Sequence, residues 1–190
     1  DRRLDTGEGM GRIYRVVRTD RPIERRPPQL SRAGAAGLVG HLGAATGWWR
    51  LTAQRLLVER ADPAAVPLLL EMVRRGPAPL GRLHALWTLD GLGRLDGETK
   101  LAALADADER VRAAAFRLSE RGLDASQLAR LRSALARATT ETSETVRLQA
   151  TLTASALPGP EALDLTVRLA RSGTDPLFHV AALTGLLALA

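Results

Sequence analysis

His84, Trp87 and Asp90 follow one another at steps of three, so a helix would set an imidazole, an indole and a carboxylate along one side. A histidine beside a carboxylate can work as a general base with its orienter, or ligate a transition metal or a haem iron. Neither use finds further support in the sequence, because no second histidine stands three or four residues away and His41 and His179 are distant. The trio predicts a partly buried histidine, hydrogen-bonded to the preceding turn or to a nearby carboxylate. Asp106 and Asp108 are close enough to suggest an acid/base pair, yet they sit where a helix starts, and cap oxygens explain their spacing. Arg50, Arg82, Arg112 and Arg147 could be taken for a phosphate-binding row. At one helix position in successive units, such arginines are expected instead to pair with acidic residues of a neighbour, with Asp62, Asp106, Asp108 and Glu144 as candidates. No catalytic set, cofactor site or metal site emerges, and the chain reads as non-catalytic.

What must position these residues is a repeat. Arg50/Ala53, Arg82/Ala85, Arg112/Ala115 and Arg147/Ala150 share an Arg-x-x-Ala core, and His179/Ala182 continues it with histidine for arginine, at intervals of 32, 30, 35 and 32 residues. A period of that length carried by apolar residues at helical spacing predicts an all-α fold, a right-handed α-solenoid of about five helix pairs, each burying its apolar face against its neighbours. The units are read as 31–60, 61–93, 94–122, 123–158 and 159–190. Within them the expected helices run from Ser31, as N-cap, to about residue 43, then 47–60, 63–75, 79–93, 96–105, 109–121, 125–139, 143–157, 160–171 and 176–190. Pro63, Pro79 and Pro160 suit first-turn positions, Thr142 or Ser143 suits a cap, and Gly76-Pro77, Gly122 and Pro158-Gly159 are stops.

Residues 1–30 differ from the rest. Gly11-Arg12-Ile13-Tyr14-Arg15-Val16-Val17-Arg18 alternates apolar and polar residues and predicts one strand, which needs a sheet lying upstream. Arg21-Pro22 through Pro27-Pro28 predicts an extended, charged linker. A chain opening on Asp1 and closing on the apolar run Leu183 to Ala190 is expected to be an internal piece of a longer protein.

Composition narrows the function further. There is no cysteine, hence no disulfide, thiolate metal site or covalent haem attachment within these residues, and no apolar run is long enough to span a membrane. The net charge of +6 invites a nucleic-acid partner, but it divides evenly: residues 1–30 hold eight arginines against five acids, and the remaining 160 hold nineteen basic residues against sixteen acids. A surface that tracks phosphates needs a concentrated stripe, so a protein or an adjoining domain is the expected partner.

Aligning the second helices of the units separates two kinds of position. The residue before each Arg (Trp49, Val111, Val146, Phe178) and the Ala three after it are expected in the core. Two before and five after lie seven apart, on one face: Trp48 and Arg55, Leu80 and Trp87, Arg110 and Arg117, Thr145 and Leu152. Tryptophan and arginine supply much of the binding energy at protein interfaces, so Trp48, Arg55, Trp87, Arg110 and Arg117 are the expected protein-contact residues.

The acidic cap, apolar residue and Arg-x-x-Ala of Asp108-Glu109-Arg110-Val111-Arg112-Ala113-Ala114-Ala115 resemble the second helix of HEAT repeats of the short kind, about thirty residues long, and the resemblance covers about residues 31–190. Gly81 in place of the apolar residue, His179 in place of arginine, and the missing acidic cap of the second unit depart from that pattern. The order of parts, Gly11 to Val16, then the proline linker, then Gly47-Trp48-Trp49-Arg50 through Leu57, then Arg82-Leu83-His84-Ala85-Leu86-Trp87, looks like the junction in large bacterial dehydrogenase-like proteins. In that family a glucose/sorbosone dehydrogenase-like β-propeller precedes the HEAT repeats and a c-type haem domain follows. The resemblance implies an extracytoplasmic scaffold joining domains of an oxidoreductase, with the propeller site and the haem motif outside these residues. HEAT-type DNA glycosylases offer an alternative, which would use Trp and Asp on a basic face, and phycobilin lyase-like repeats a third.

Overall fold

The computed structural model describes residues 19–20, 29–173 and 175–181. The strand expected over 11–18, the linker through Pro27-Pro28 and the apolar end from residue 182 lie outside the described residues. Among the described residues the chain is all-helical, without a strand. No helix there is long and apolar enough to cross a membrane.

Nine α-helices are described: α1 (Ala35–His41), α2 (Gly47–Arg60), α3 (Ala65–Arg75), α4 (Pro79–Gly91), α5 (Gly97–Ala103), α6 (Glu109–Leu118), α7 (Ala125–Arg137), α8 (Glu144–Ser155) and α9 (Pro160–Ser172). Residues 177–181 are again helical. Local chemistry sets the starts. Asp96 accepts from the Thr99 N–H at 2.7 Å, and Asp108 from Arg110 at 3.0 Å. Asp124 and Gln127 form a reciprocal capping box at the head of α7. Of the two candidates before α8, Ser143 is the cap, taking the Val146 N–H at 3.3 Å. Pro79 and Pro160 occupy first-turn positions, where a missing N–H costs nothing.

The first start departs from expectation. Ser31 is not an N-cap: Leu30–Arg32 forms a 3₁₀ turn, and α1 begins only after Gly34. Leu30 is buried in the core, and the Arg60 guanidinium donates to the carbonyls of Ser31 at 2.8 Å and Ala33 at 2.6 Å. Those two carbonyls are bound by Arg60 and carry no α-helical bond, so the segment stops at its 3₁₀ turn. The first helix of the second unit also starts late, at Ala65, because Asp62 closes a turn onto the Ala64 N–H at 3.0 Å.

Packing follows chain order in two rows. α1, α3, α5, α7 and α9 each contact the next member of their row, and so do α2, α4, α6 and α8; the rows meet at α1–α2, α3–α4, α5–α6, α7–α8 and α8–α9. Ala53, Ala85, Ala115 and Ala150 are fully buried where the second helices approach one another. Val111, Val146 and Phe178 are buried beside them, and Trp49 is half-buried against the core with its ring edge-on to His41. Gly81, which breaks the apolar rule, has its reason in a close approach: a Cβ there would lie 3.4 Å from the Gly43 Cα and 3.2 Å from the Met72 sulfur. The buried residues form two clusters that divide inside the third unit, with Ala103, Val111 and Ala115 on one side and Leu101 and Phe116 on the other.

Candidate interaction face

The face is held by the arginines of the repeat. Each donates to the carbonyl six residues before it: Arg50 to Ala44 at 2.6 Å, Arg82 to Gly76 at 2.8 Å, Arg112 to Asp106 at 2.9 Å and Arg147 to Glu141 at 2.8 Å. Each therefore closes its own interhelical turn. Two also reach forward to the residue at the same position of the next unit. Arg82 grips Asp106 through two bonds of 2.7 Å, and Arg112 grips Glu141 at 2.9 and 3.2 Å. Asp106 and Glu141 are thus bound twice, by carbonyl and by carboxylate, from two successive units. Burial pushes the Asp106 carboxyl up, but the Arg82 hydrogen bonds, the Asp108 N–H and the Arg82 charge outweigh it and hold the group below the ordinary range. Glu141 is likewise lowered, burial being overcome by the Ser143 N–H and by Arg112.

At the other two junctions the forward position is a glycine, and both have no room for a side chain. A Cβ on Gly76 would meet the Met72 carbonyl and sulfur, and one on Gly173 would meet the Phe178 ring. Arg50 therefore turns its Nε to the Nε2 of His84 at 3.3 Å, and Arg147 stands 6.0 Å from the Phe178 ring centroid, with Glu144 of its own helix at 3.4 Å. Of the expected acidic partners, Asp106 pairs with the ladder between units, and Glu144 is reached by Arg147 within its own helix. Asp62 caps its own turn and Asp108 pairs with Arg110. Glu141 was missed as a partner, although it stands six before Arg147 as Asp106 stands six before Arg112.

His84 is partly buried, but its partners are neither the preceding turn nor a carboxylate. Its Nδ1 donates to the Gln54 Oε1 at 2.6 Å while Nε2 accepts from Arg50, which fixes the neutral tautomer. Burial first, and the Arg50 charge second, lower its pKa. The unfolded chain therefore takes up the proton more readily, and the stability His84 contributes is present above about pH 6.5 and is lost as pH falls below it. The lowered carboxylates Asp106 and Glu141 act in a separate window, below about pH 4. Urea midpoints at pH 7.5, 6.5 and 5.5 should fall with pH in the native chain and flatten in His84→Gln. Parallel slopes in the two proteins would remove His84 as the titrating group.

Outward from this ladder lies the stripe read from the register. Trp48 is 64% exposed and Trp87 37%, while Leu80 is half-buried and Arg55, Arg110, Arg117, Thr145 and Leu152 are exposed. Leu177, two residues before His179, extends the row. By row position Trp87 stands between Arg55 and Arg117 of the flanking units. Each arginine is held by a carboxylate of its own unit: Arg55 by Glu59 at 2.8 Å, Arg110 by Asp108 at 2.8 Å, and Arg117 by Glu120 at 2.6 Å. The Arg110 hydrogen bonds bring the Asp108 carboxyl down to about 2. Glu120 also accepts from Thr153 at 3.1 Å and Gln149 at 3.4 Å on α8, so one half-buried carboxylate holds Arg117 and ties two units together.

Among the described residues, fold and site together show an all-helical structure with aromatic and arginine side chains exposed on its second helices. Comparison with protein-family models finds no match, and comparison with curated protein sequences finds none either.

Proposed function

We propose that this chain is an α-solenoid of five short HEAT-like helix pairs that acts as a non-catalytic scaffold, binding a protein partner or an adjoining domain through the outer face of its second helices. The observation that carries the reading is the exposure of Trp48 and Trp87 in one register with Leu152 and Leu177. Large apolar side chains standing clear of the core on successive helices form a patch that water disfavours, rimmed here by oriented guanidinium groups. The pairing of Arg55, Arg110 and Arg117 supports protein contact over phosphate tracking, because their charge is already met within the chain. The order of the parts supports a place in a dehydrogenase-like parent, where the partner would be the preceding propeller.

Trp48→Ala/Trp87→Ala should leave the circular dichroism and unfolding midpoint close to native, since neither ring is in the core. In the longer parent protein, acrylamide quenching of the native tryptophans should be weaker than in the 190-residue chain, with the difference lost on the double substitution. Equal quenching in both contexts would sink the surface assignment. Titration with duplex DNA at several salt concentrations checks the DNA-binding alternative, for which a steep salt slope is the signature.

A further inference from the structure

A second feature, independent of that face, lies between the third and fourth units on the first-helix row. α5 has seven residues and α7 thirteen, so at 1.5 Å per residue α5 is about 9 Å shorter than its neighbour. The last two turns of α7 consequently face a cleft of about 580 Å³, in the size range of small-molecule sites. Its floor is apolar, made by Leu101, Leu104, Phe116, Ala134 and Ala138. This is also where the two clusters of buried residues part, and Phe116, a member of the second cluster, lines the cleft.

The charges on the lining do not all have partners. Arg130 is bound by Glu98 at 2.6 and 2.8 Å, and Glu141 is neutralised by Arg112. Arg137, one of the three charged side chains of the wall, makes no ion pair or side-chain hydrogen bond among the described residues, and it stands at the rim beside Ser133 and Thr140. The cleft therefore combines an apolar floor with one uncompensated positive charge at its mouth. We infer that it binds an amphiphilic monocarboxylate, the acid group on Arg137 and the hydrocarbon or aryl body over Phe116. A dianion would find only one free cation, a neutral amphiphile would forgo the charge-assisted contact with Arg137, and a cationic one would be repelled by it.

The probe is decanoate, with 1-decanol and decylammonium as comparators, titrated against the 190-residue chain by calorimetry and by methyl NMR of Ala134 and Ala138. Decanoate should bind with those methyl signals shifting, 1-decanol about tenfold more weakly, as expected for loss of one charge-assisted contact, and decylammonium not at all. Arg137→Glu should weaken decanoate about tenfold and leave 1-decanol unchanged, while Arg137→Lys retains most of the affinity. Ala134→Phe should fill the cleft and abolish binding; if that variant fails to fold, the exposed Arg137 substitutions still decide. Equal affinity for decanoate and 1-decanol, indifference to Arg137→Glu, absence of binding, or shifts confined to residues outside the cleft would each overturn the assignment.

Discussion

Replacing Arg82 by alanine should lower the unfolding free energy by about 3 kcal/mol, the cost of leaving a mostly buried carboxylate without its cation. The Arg82 side chain is 14% exposed and that of Asp106 11%. Their two bonds of 2.7 Å form the bidentate geometry in which arginine surpasses lysine. The substitution strips two acceptors at once, because the Gly76 carbonyl loses its donor as well. Arg82→Lys should recover only part of the loss, since one ammonium cannot bridge both carboxylate oxygens and the carbonyl. Arg75→Ala is the control: its pair with Glu71 is exposed and 3.5 Å long, and its removal should cost less than about 0.5 kcal/mol. Urea midpoints at unchanged slope provide the measurement. A loss for Arg82→Ala no larger than that for Arg75→Ala would show that the forward contact does not join the second and third units energetically.

A leucine at Ala115 should destabilise the chain by about 3 kcal/mol, whereas the same leucine at Ala113 should cost less than about 1 kcal/mol. Both residues lie on α6 and both substitutions add the same atoms, so intrinsic helix preference cancels. Ala115 is fully buried three residues after Arg112, where every aligned helix from α2 to α8 also carries a buried alanine. Three extra carbons there must drive α6 away from α4 and α8, the helices it packs against. Ala113 stands one residue after the arginine, where the first, second and fourth units carry Leu51, Leu83 and Leu148. The fold has already accommodated leucine at that position. Equal losses for the two variants would mean that the alanine reflects composition and not close helix approach.

Much of the helical organisation was legible because its causes are local or periodic. The starts of α2, α4, α6 and α8 follow from Arg-x-x-Ala spacing, proline placement and acidic or hydroxyl caps, all within a few residues of one another. The exposure of Trp48 and the half-burial of Trp49 follow from the 100° step between consecutive helical residues, which sends adjacent side chains to different faces. The misplaced start at Ser31 had a distant cause. Nothing near Ser31 announces that Arg60 will take the carbonyls around it, and a good cap residue is overruled once a guanidinium 29 positions away occupies the carbonyls that a helix starting there would use.

The candidate sites show the same division. The five residues proposed as a contact face could be grouped from register alone, since a seven-residue step on a helix fixes which side chains share a side. Their ion pairs are local as well, with Glu59, Asp108 and Glu120 on the same stretch of chain, but the tie from Glu120 to Thr153 and Gln149 of α8 forms only when the units stack. His84 looked like a member of a trio with Trp87 and Asp90, but its chemistry is set from α2 by Arg50 and Gln54, on a helix 30 residues away. The cleft below Phe116 has no local motif at all: it arises from the unequal lengths of two helices that meet only after folding. By itself the sequence determined the period, the helix class and the side of each helix that faces out, because these are properties of neighbouring residues in one chain segment. Tertiary structure alone decided which charges are spent across units, Arg82 on Asp106 and Arg112 on Glu141, and where space remains between units, because both depend on groups that lie far apart in the chain and meet only on folding.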